Sequence, residues 1–375
     1  MNSLLVSLSF YVLVIVLILL NRKKFQIENK VFFLHRTKKG VNLMKKLAKP
    51  ALFWTVLSTL FILLAVYFTA VGVKALYNNA IDIITGKVTT PGASFILPGI
   101  KLPGGPYLPL LSGIISIIFL AFVHEFSHGI VAFARKVRIK NAGFGFLLPL
   151  PIPLAFVEPD EKSMNKARII DRLRILSAGS GANIVFAFVF MLLGSYLAVH
   201  IASSPHVMHE GIGIFNIKGE PLSLTNLSSG DVIYTINGTH MNITTFKAFM
   251  SNTLPNQTLV LNTSRGEYIV TLSKDEATGS GRLGGEFRDH YAPRDFEGSI
   301  LIGLYNLIFW LGLLNMAIGI INFLPVLWIT DGCKMLFEFL GYFTKNDKLR
   351  LSIANAIIGF VTIILIINIV GPYIL

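Results

Sequence analysis

The sequence has one cysteine, Cys333, in 375 residues. No intrachain disulfide can form, and no cysteine-rich metal site exists. Charge is scarce as well: Asp, Glu, Lys and Arg make up 14% of the chain, where soluble domains carry about 25%. Acids are the scarcer sign, 20 against 33 bases. These shortages exclude an ordinary soluble enzyme and a charge-rich disordered chain. Apolar residues fill the gap, at 53% of the sequence with a mean hydropathy of +0.65. That is the composition of a membrane protein. The excess of bases falls in loops between apolar runs, the pattern of membrane topology, so nucleic acid is not an expected partner.

Six segments have the length and polarity of membrane spans, roughly 4–20, 52–75, 107–134, 175–200, 300–323 and 351–371. The first is short. Basic residues follow it rather than precede it and no small-residue cleavage site closes it, so it reads as a retained helix and not a signal peptide. Residues 21–50 hold ten Lys or Arg and one acid, Glu28. Further basic loops follow the third span ("RKVRIK" and "EKSMNKARIIDRLR") and the fifth (Lys334, Lys345, Lys348, Arg350). All three fall on one side, which the positive-inside rule makes cytoplasmic, beside anionic lipid. Residues 201–299 then lie outside. That region carries five Asn-x-Ser/Thr sites, at Asn226, Asn237, Asn242, Asn256 and Asn262, usable only on the outer face. The expected divisions are 1–106 (two spans with the basic loop), 107–200 (two core spans), 201–299 (the outer domain) and 300–375 (the last two spans). The expected setting is a multi-pass protein of the cell membrane.

The third span contains "HEFSH", residues 124–128. His124 and His128 are i and i+4, so a helix turns both imidazoles the same way. Glu125 lies beside the first, placed to act as a general base on water; this is the H-E-x-x-H arrangement of zinc peptidases. Ionisable groups within hydrocarbon are costly and mark function. Catalytic zinc takes three protein ligands, and intramembrane candidates for the third are few. Asp331, in "NFLPVLWITDG" at 322–332, stands out. Pro325 lacks a backbone donor and should break the fifth span. Gly332 adds freedom after the aspartate, and Asn322 is placed to bond the backbone that Pro325 frees. Such a break can turn a carboxylate toward His124.

These motifs resemble the site-2 protease family of intramembrane zinc metalloproteases. "HEFSH" matches its H-E-x-x-H element, and "NFLPVLWITDG" matches its N-x-x-P-x(4)-D-G element. "GSGAN" at 179–183 is similar to its central Gly-rich motif, with Ser180 where the family usually has Pro. The resemblance covers about 107–340. It implies one zinc per chain, held by His124, His128 and Asp331, with Glu125 activating water. It implies that Asn183 steadies substrate or a developing oxyanion, chemistry an uncharged amide donor suits in a dry site. Gly179, Gly181 and Ala182 let a helix or substrate strand approach closely.

The apolar stretch 143–156, "GFGFLLPLPIPLAF", has three prolines and cannot be a regular helix. A membrane-associated hairpin or re-entrant loop is expected there. The resemblance implies β-structure, with Phe144, Phe146 and Leu147 offering an edge or sheath to substrate.

Residues 211–274 change to short alternating runs separated by turns. A helix is expected at 244–251, capped by Thr244 or Thr245. "GDVIYTING" at 230–238 resembles the matching run of a PDZ domain, whose carboxylate-binding loop would fall at 210–217 with a peptide or protein ligand as partner. Residues 275–296 read as a flexible linker, with His290 a solvated loop residue. The fold expected is thus a polytopic α-helical membrane protein of about six transmembrane helices with an inserted extracytoplasmic PDZ-like α/β domain.

The function expected is hydrolysis of membrane-spanning protein substrates. A metal transporter is the alternative, but paired or inverted repeats with broken helices are not visible. An inactive scaffold is the other, and it has no need of Glu125.

Overall fold

The computed structural model describes residues 3–88 and 90–374. Its helices are α1 (Ser3–Leu20), α2 (Lys39–Leu47), α3 (Ala51–Ile84), α4 (Leu110–Ala134), α5 (Glu161–Lys166), α6 (Ile169–Ser203), α7 (Ile243–Ser251), α8 (Phe296–Phe323), α9 (Asp331–Leu340) and α10 (Asp347–Ile374). Among the described residues, α3, α4, α6, α8 and α10 are long and apolar enough to cross a membrane, and α1 is a shorter apolar helix. The strands are β1 (Gln26–Glu28), β2 (Phe32–Thr37), β3 (Ile139–Leu147), β4 (Ile152–Pro159), β5 (Val207–Ile217), β6 (Val232–Ile236), β7 (Thr258–Thr263), β8 (Gly266–Thr271), β9 (Ser273–Lys274), β10 (Gly281–Arg282) and β11 (Gly285–Pro293). The chain forms two compact units.

The first unit comprises residues 1–78, 110–192 and 308–365. Its helices pack through small residues. A Cβ on Gly181 of α6 would lie 2.2 Å from the Phe61 ring of α3, so this glycine serves helix contact rather than a substrate strand. Charge is taken inside only where it is paired. The nearly buried Asp171 of α6 accepts from Arg135 of α4 at 2.8 Å and from Arg174 at 2.9 Å. Arg135 and Arg174 also donate to Thr55 and Thr59 of α3, at 2.8 and 3.0 Å. Side chains that read in sequence as loop charge therefore tie three helices together.

The proline-broken stretch forms the β3–β4 hairpin, and the basic segment before α3 supplies β1, β2 and α2. The antiparallel sheet runs β1-β2-β3-β4. Its order corrects one expectation: β3, which carries Phe144, Phe146 and Leu147, is interior and offers no edge, because the basic segment folds back and occupies its second side. The free edge on the hairpin's side is β4. Arg36 of β2 binds Glu28 and Glu158, both at 2.7 Å, and so clasps β1 and β4. The guanidinium holds the Glu158 carboxyl below the ordinary range.

The second unit comprises residues 79–109, 193–307 and 366–375. It contains a five-stranded antiparallel sheet of order β11-β5-β6-β7-β8. Ile212, Ile214, Leu259 and Leu261 alternate inward, a register shift in β6 turns both Ile233 and Ile236 the same way, and all pack with Phe246 of α7. Asn237 and Gly238 both take positive φ, 51° and 75°, at the tight turn after β6.

Four expectations are corrected here. Residues 285–293 are a strand rather than a flexible linker: β11 pairs with β5 along its length. Its charged residues hid it, since it gains order from ladder pairing more than from apolar alternation. His290 accordingly sits in this strand, 3.6 Å from Glu210, and not in a solvated loop. Residues 210–217 lie in the strand β5 rather than in a loop, paired with β11 along their length and with β6 at Ile212 and Gly213. The cap of α7 is Asn242, whose Oδ1 accepts from Thr245 N–H at 2.9 Å while Thr245 Oγ1 accepts from Asn242 N–H. Asn competes well at this position because its short side chain reaches the orphan N–H groups.

Candidate metal centre

One turn of α4 separates His124 from His128, and their Nε2 atoms lie 3.2 Å apart. Asp331 comes from far along the chain. Helix α8 stops at Phe323, residues 324–330 are irregular, and α9 begins at Asp331. The break brings Asp331 Oδ2 to 3.1 Å from each histidine Nε2. Among the described residues, these three form the one cluster of His, Cys, Asp and Glu able to hold a metal ion.

The turn that delivers Asp331 is strained and tied down. Leu327 and Trp328 both adopt left-handed backbone, with φ of 56° and 58°. Each such residue costs roughly 1–2 kcal/mol. Thr330 Oγ1–H donates to Leu324 O at 2.6 Å. Leu327 N–H donates to Thr362 Oγ1 of α10 at 3.1 Å, and Trp328 Nε1–H to Asn355 Oδ1 of the same helix at 2.9 Å. The carbonyls at the break are thus met by Thr330, by Thr69 of α3, which donates to Phe323 O at 2.9 Å, and by Leu324 N–H, which donates to Ile321 O at 3.1 Å, and not by Asn322. Gly332 is needed for space rather than freedom: a Cβ there would lie 2.2 Å from the Phe323 carbonyl oxygen.

The histidines are oriented from α6. His128 Nδ1–H donates to the Ile175 carbonyl at 2.6 Å, which leaves the Nε2 lone pair free to ligate. The Asn183 side chain lies 3.4 Å from His124 Nδ1. Gly179 forms the floor, since a Cβ on it would lie 2.4 Å from His128 Nε2 and 2.7 Å from His124 Nε2. The close approach anticipated at Gly179 is therefore made by the two imidazoles.

Zinc fits this donor set. Bonds of about 2.0–2.1 Å at tetrahedral angles put ligand atoms about 3.3 Å apart. The three edges here are 3.1, 3.1 and 3.2 Å. Two neutral nitrogens and one carboxylate also suit zinc and leave a fourth position open.

Glu125 is not part of the triangle. Its Oε2 accepts from Val157 N–H of β4 at 3.1 Å. It lines a cavity of about 360 Å³ with Phe122, Phe144, Phe146 and Phe156, while Leu147 is not among the lining residues. The backbone partners, Val157 N–H and Ile175 O, carry no side-chain signature and were invisible in the sequence. Thr330 had only the faint signal of standing where a helix N-cap would.

Residues 112–367 match Peptidase family M50. The chain is also 27% identical over 298 residues to a protein of Methanocaldococcus jannaschii described as uncharacterized, an alignment covering 79% of this chain and 74% of that one. The family match begins at the start of α4, runs into α10 and encloses every element that bears a ligand of the cluster. A match of that extent makes this chain a member of Peptidase family M50, the site-2 protease family of intramembrane zinc-dependent metalloendopeptidases.

Proposed function

We propose that His124, His128 and Asp331 hold one zinc ion and that Glu125 is the general base for hydrolysis of peptide bonds in membrane-spanning substrates. The observation that carries this is the convergence of three ligand atoms, 3.1–3.2 Å apart, from two helices distant in sequence. When bound, the ion supplies Lewis acidity toward the scissile carbonyl and toward water. Glu125 takes a proton from the attacking water and returns it to the leaving amine. Its bond to Val157 N–H holds the carboxylate at the wall of the cavity beside the cluster. Phe144 and Phe146 give that cavity apolar walls for an unwound segment, and the free edge of β4 supplies backbone partners.

The E125Q variant tests the assignment. Shape is kept, while the amide cannot accept the proton. Zinc content should stay near one per chain while cleavage of a single-span substrate with a Gly or Pro break falls by roughly 100-fold or more. Equal rates at equal zinc content would remove the general-base role.

The surroundings of the site follow from the charge pattern. The loops at 21–50, between α4 and α6, and after α9 are cytoplasmic, and residues 201–299 form an extracytoplasmic PDZ-like domain. Segments 1–106, 107–200, 201–299 and 300–375 are its working divisions. A peptide ligand of that domain would add to β11, the edge strand that contacts α7 through Phe287 and Phe246, whose ring centroids are 4.9 Å apart. Cysteines introduced at Lys30 and Thr278 test the orientation, because Cys333 is fully buried. An impermeant maleimide should label only the second in intact cells. Labelling of the first alone would invert the arrangement.

A further inference from the structure

We infer that Asn183 is a positioning residue that sets the tautomer of His124, and not a donor to the reacting carbonyl. The inference rests on the metal site proposed above. Asn183 lies one turn beyond Gly179 on α6 and is completely buried. Its amide meets one side chain, His124, at the Nδ1 atom. It is absent from the lining of the cavity that holds Glu125. A donor to the substrate carbonyl must be free to face it, and the end of this amide that has a partner is turned to His124.

The chemistry of the contact decides what Asn183 does. The two ends of an amide exchange by a half-turn, and hydrogen bonding determines which end faces a partner. If the NH2 faces His124, then Nδ1 must accept and the imidazole proton sits on Nε2. That proton would point into the triangle, 3.1 Å from Asp331 Oδ2 and 3.2 Å from His128 Nε2, and no lone pair would face a metal. If Oδ1 faces His124, then Nδ1–H donates and the Nε2 lone pair points into the triangle. The Oδ1 atom otherwise lies buried with no partner among the described residues. The half-turn places the NH2 there instead, so the count of satisfied atoms is unchanged and the tautomer decides.

His128 shows the same device. Its Nδ1–H donates to the Ile175 carbonyl, also on α6. One helix thus supplies an acceptor to each ligating imidazole, a turn to either side of the Gly179 floor. This is the usual support of a ligating histidine, and removing such support weakens metal binding by roughly 10- to 100-fold.

The experiment measures zinc affinity of the purified full chain by competition with a chromophoric chelator, with no substrate present. Three variants are compared with wild type: N183L, N183D and H124A. The leucine cannot accept a bond, and the aspartate can only accept. The expected result is a 10- to 100-fold weaker affinity for N183L and an affinity for N183D close to wild type. Thermal unfolding of the metal-free proteins checks that the fold survives, and N183S, whose hydroxyl is too short to reach His124, serves if leucine is not tolerated. Wild-type affinity in N183L or N183S overturns the inference. So does an N183D affinity as weak as that of N183L, because a residue that only glues helices has no reason to be rescued by an acceptor. Wild-type affinity in H124A would remove the metal site itself, which separates failure of that site from failure of the role given to Asn183.

Discussion

Changing Gly179 to alanine adds one methyl group to α6, and the structure gives its consequence. The new Cβ would lie 2.4 Å from His128 Nε2, 2.7 Å from His124 Nε2 and 2.8 Å from His124 Cδ2. Non-bonded carbon contacts are optimal at about 3.5–4.0 Å. The imidazoles must therefore withdraw by roughly 1 Å, while zinc sites tolerate about 0.2 Å in ligand distance. His128 cannot yield freely, because its 2.6 Å bond to Ile175 O anchors it to the same helix. The backbone, by contrast, should gain, since alanine in a helix interior is favoured over glycine by about 1 kcal/mol. G179A should thus lose most of its zinc while its metal-free form still folds, because the helix gain of alanine offsets part of the crowding. Elemental analysis and thermal unfolding on the same preparation read both quantities. G359A in α10 is the control, because no atom lies within 4 Å of the added carbon, and it should keep its zinc. Full zinc occupancy in G179A at wild-type affinity would refute the steric reasoning and the placement of the imidazoles over α6.

Two further outcomes are expected. In the double variant N355A/T362V the strained turn loses both tethers to α10, each worth about 1 kcal/mol; zinc affinity should fall and Trp328 emission should shift, and unchanged values of both would show that α10 does not position Asp331. In the second unit, His206 Nδ1 lies 2.7 Å from Asp295 Oδ2 and its pKa is raised by that hydrogen bond. The contact therefore stabilises fully below the ordinary histidine value of about 6.5 and is lost as pH rises through the raised folded value. D295N should move the NMR titration midpoint of His206 back down, and an unmoved midpoint would assign the shift elsewhere.

Several parts of this molecule were legible because their signals are local. Long apolar runs specify α3, α4, α6, α8 and α10, since length and hydropathy alone meet the demand of a bilayer. Two short motifs named His124, Glu125, His128 and Asp331, because metal chemistry needs those residue types. Pro325 ended α8 as its missing donor requires. Other parts depended on partners far along the chain. The strand at 285–293 looked like a linker until β5 paired with it. Phe144 and Phe146 looked like an edge until the basic segment supplied β2 on their far side. Loop charges such as Arg135 proved to be half-buried partners of the buried Asp171.

The sequence by itself determined the membrane class and named the residue types of the candidate metal cluster, because the first follows from composition and the second from two short motifs, one within a helix and one at a proline-broken span. Only the tertiary structure decided which way the ligands face. The Ile175 carbonyl bonded to His128, the Asn183 side chain against His124 and the bare floor at Gly179 act through distances between segments that no local pattern encodes, as does the Val157 N–H that holds Glu125. A metal site requires direction as well as donors, and direction is a property of packing.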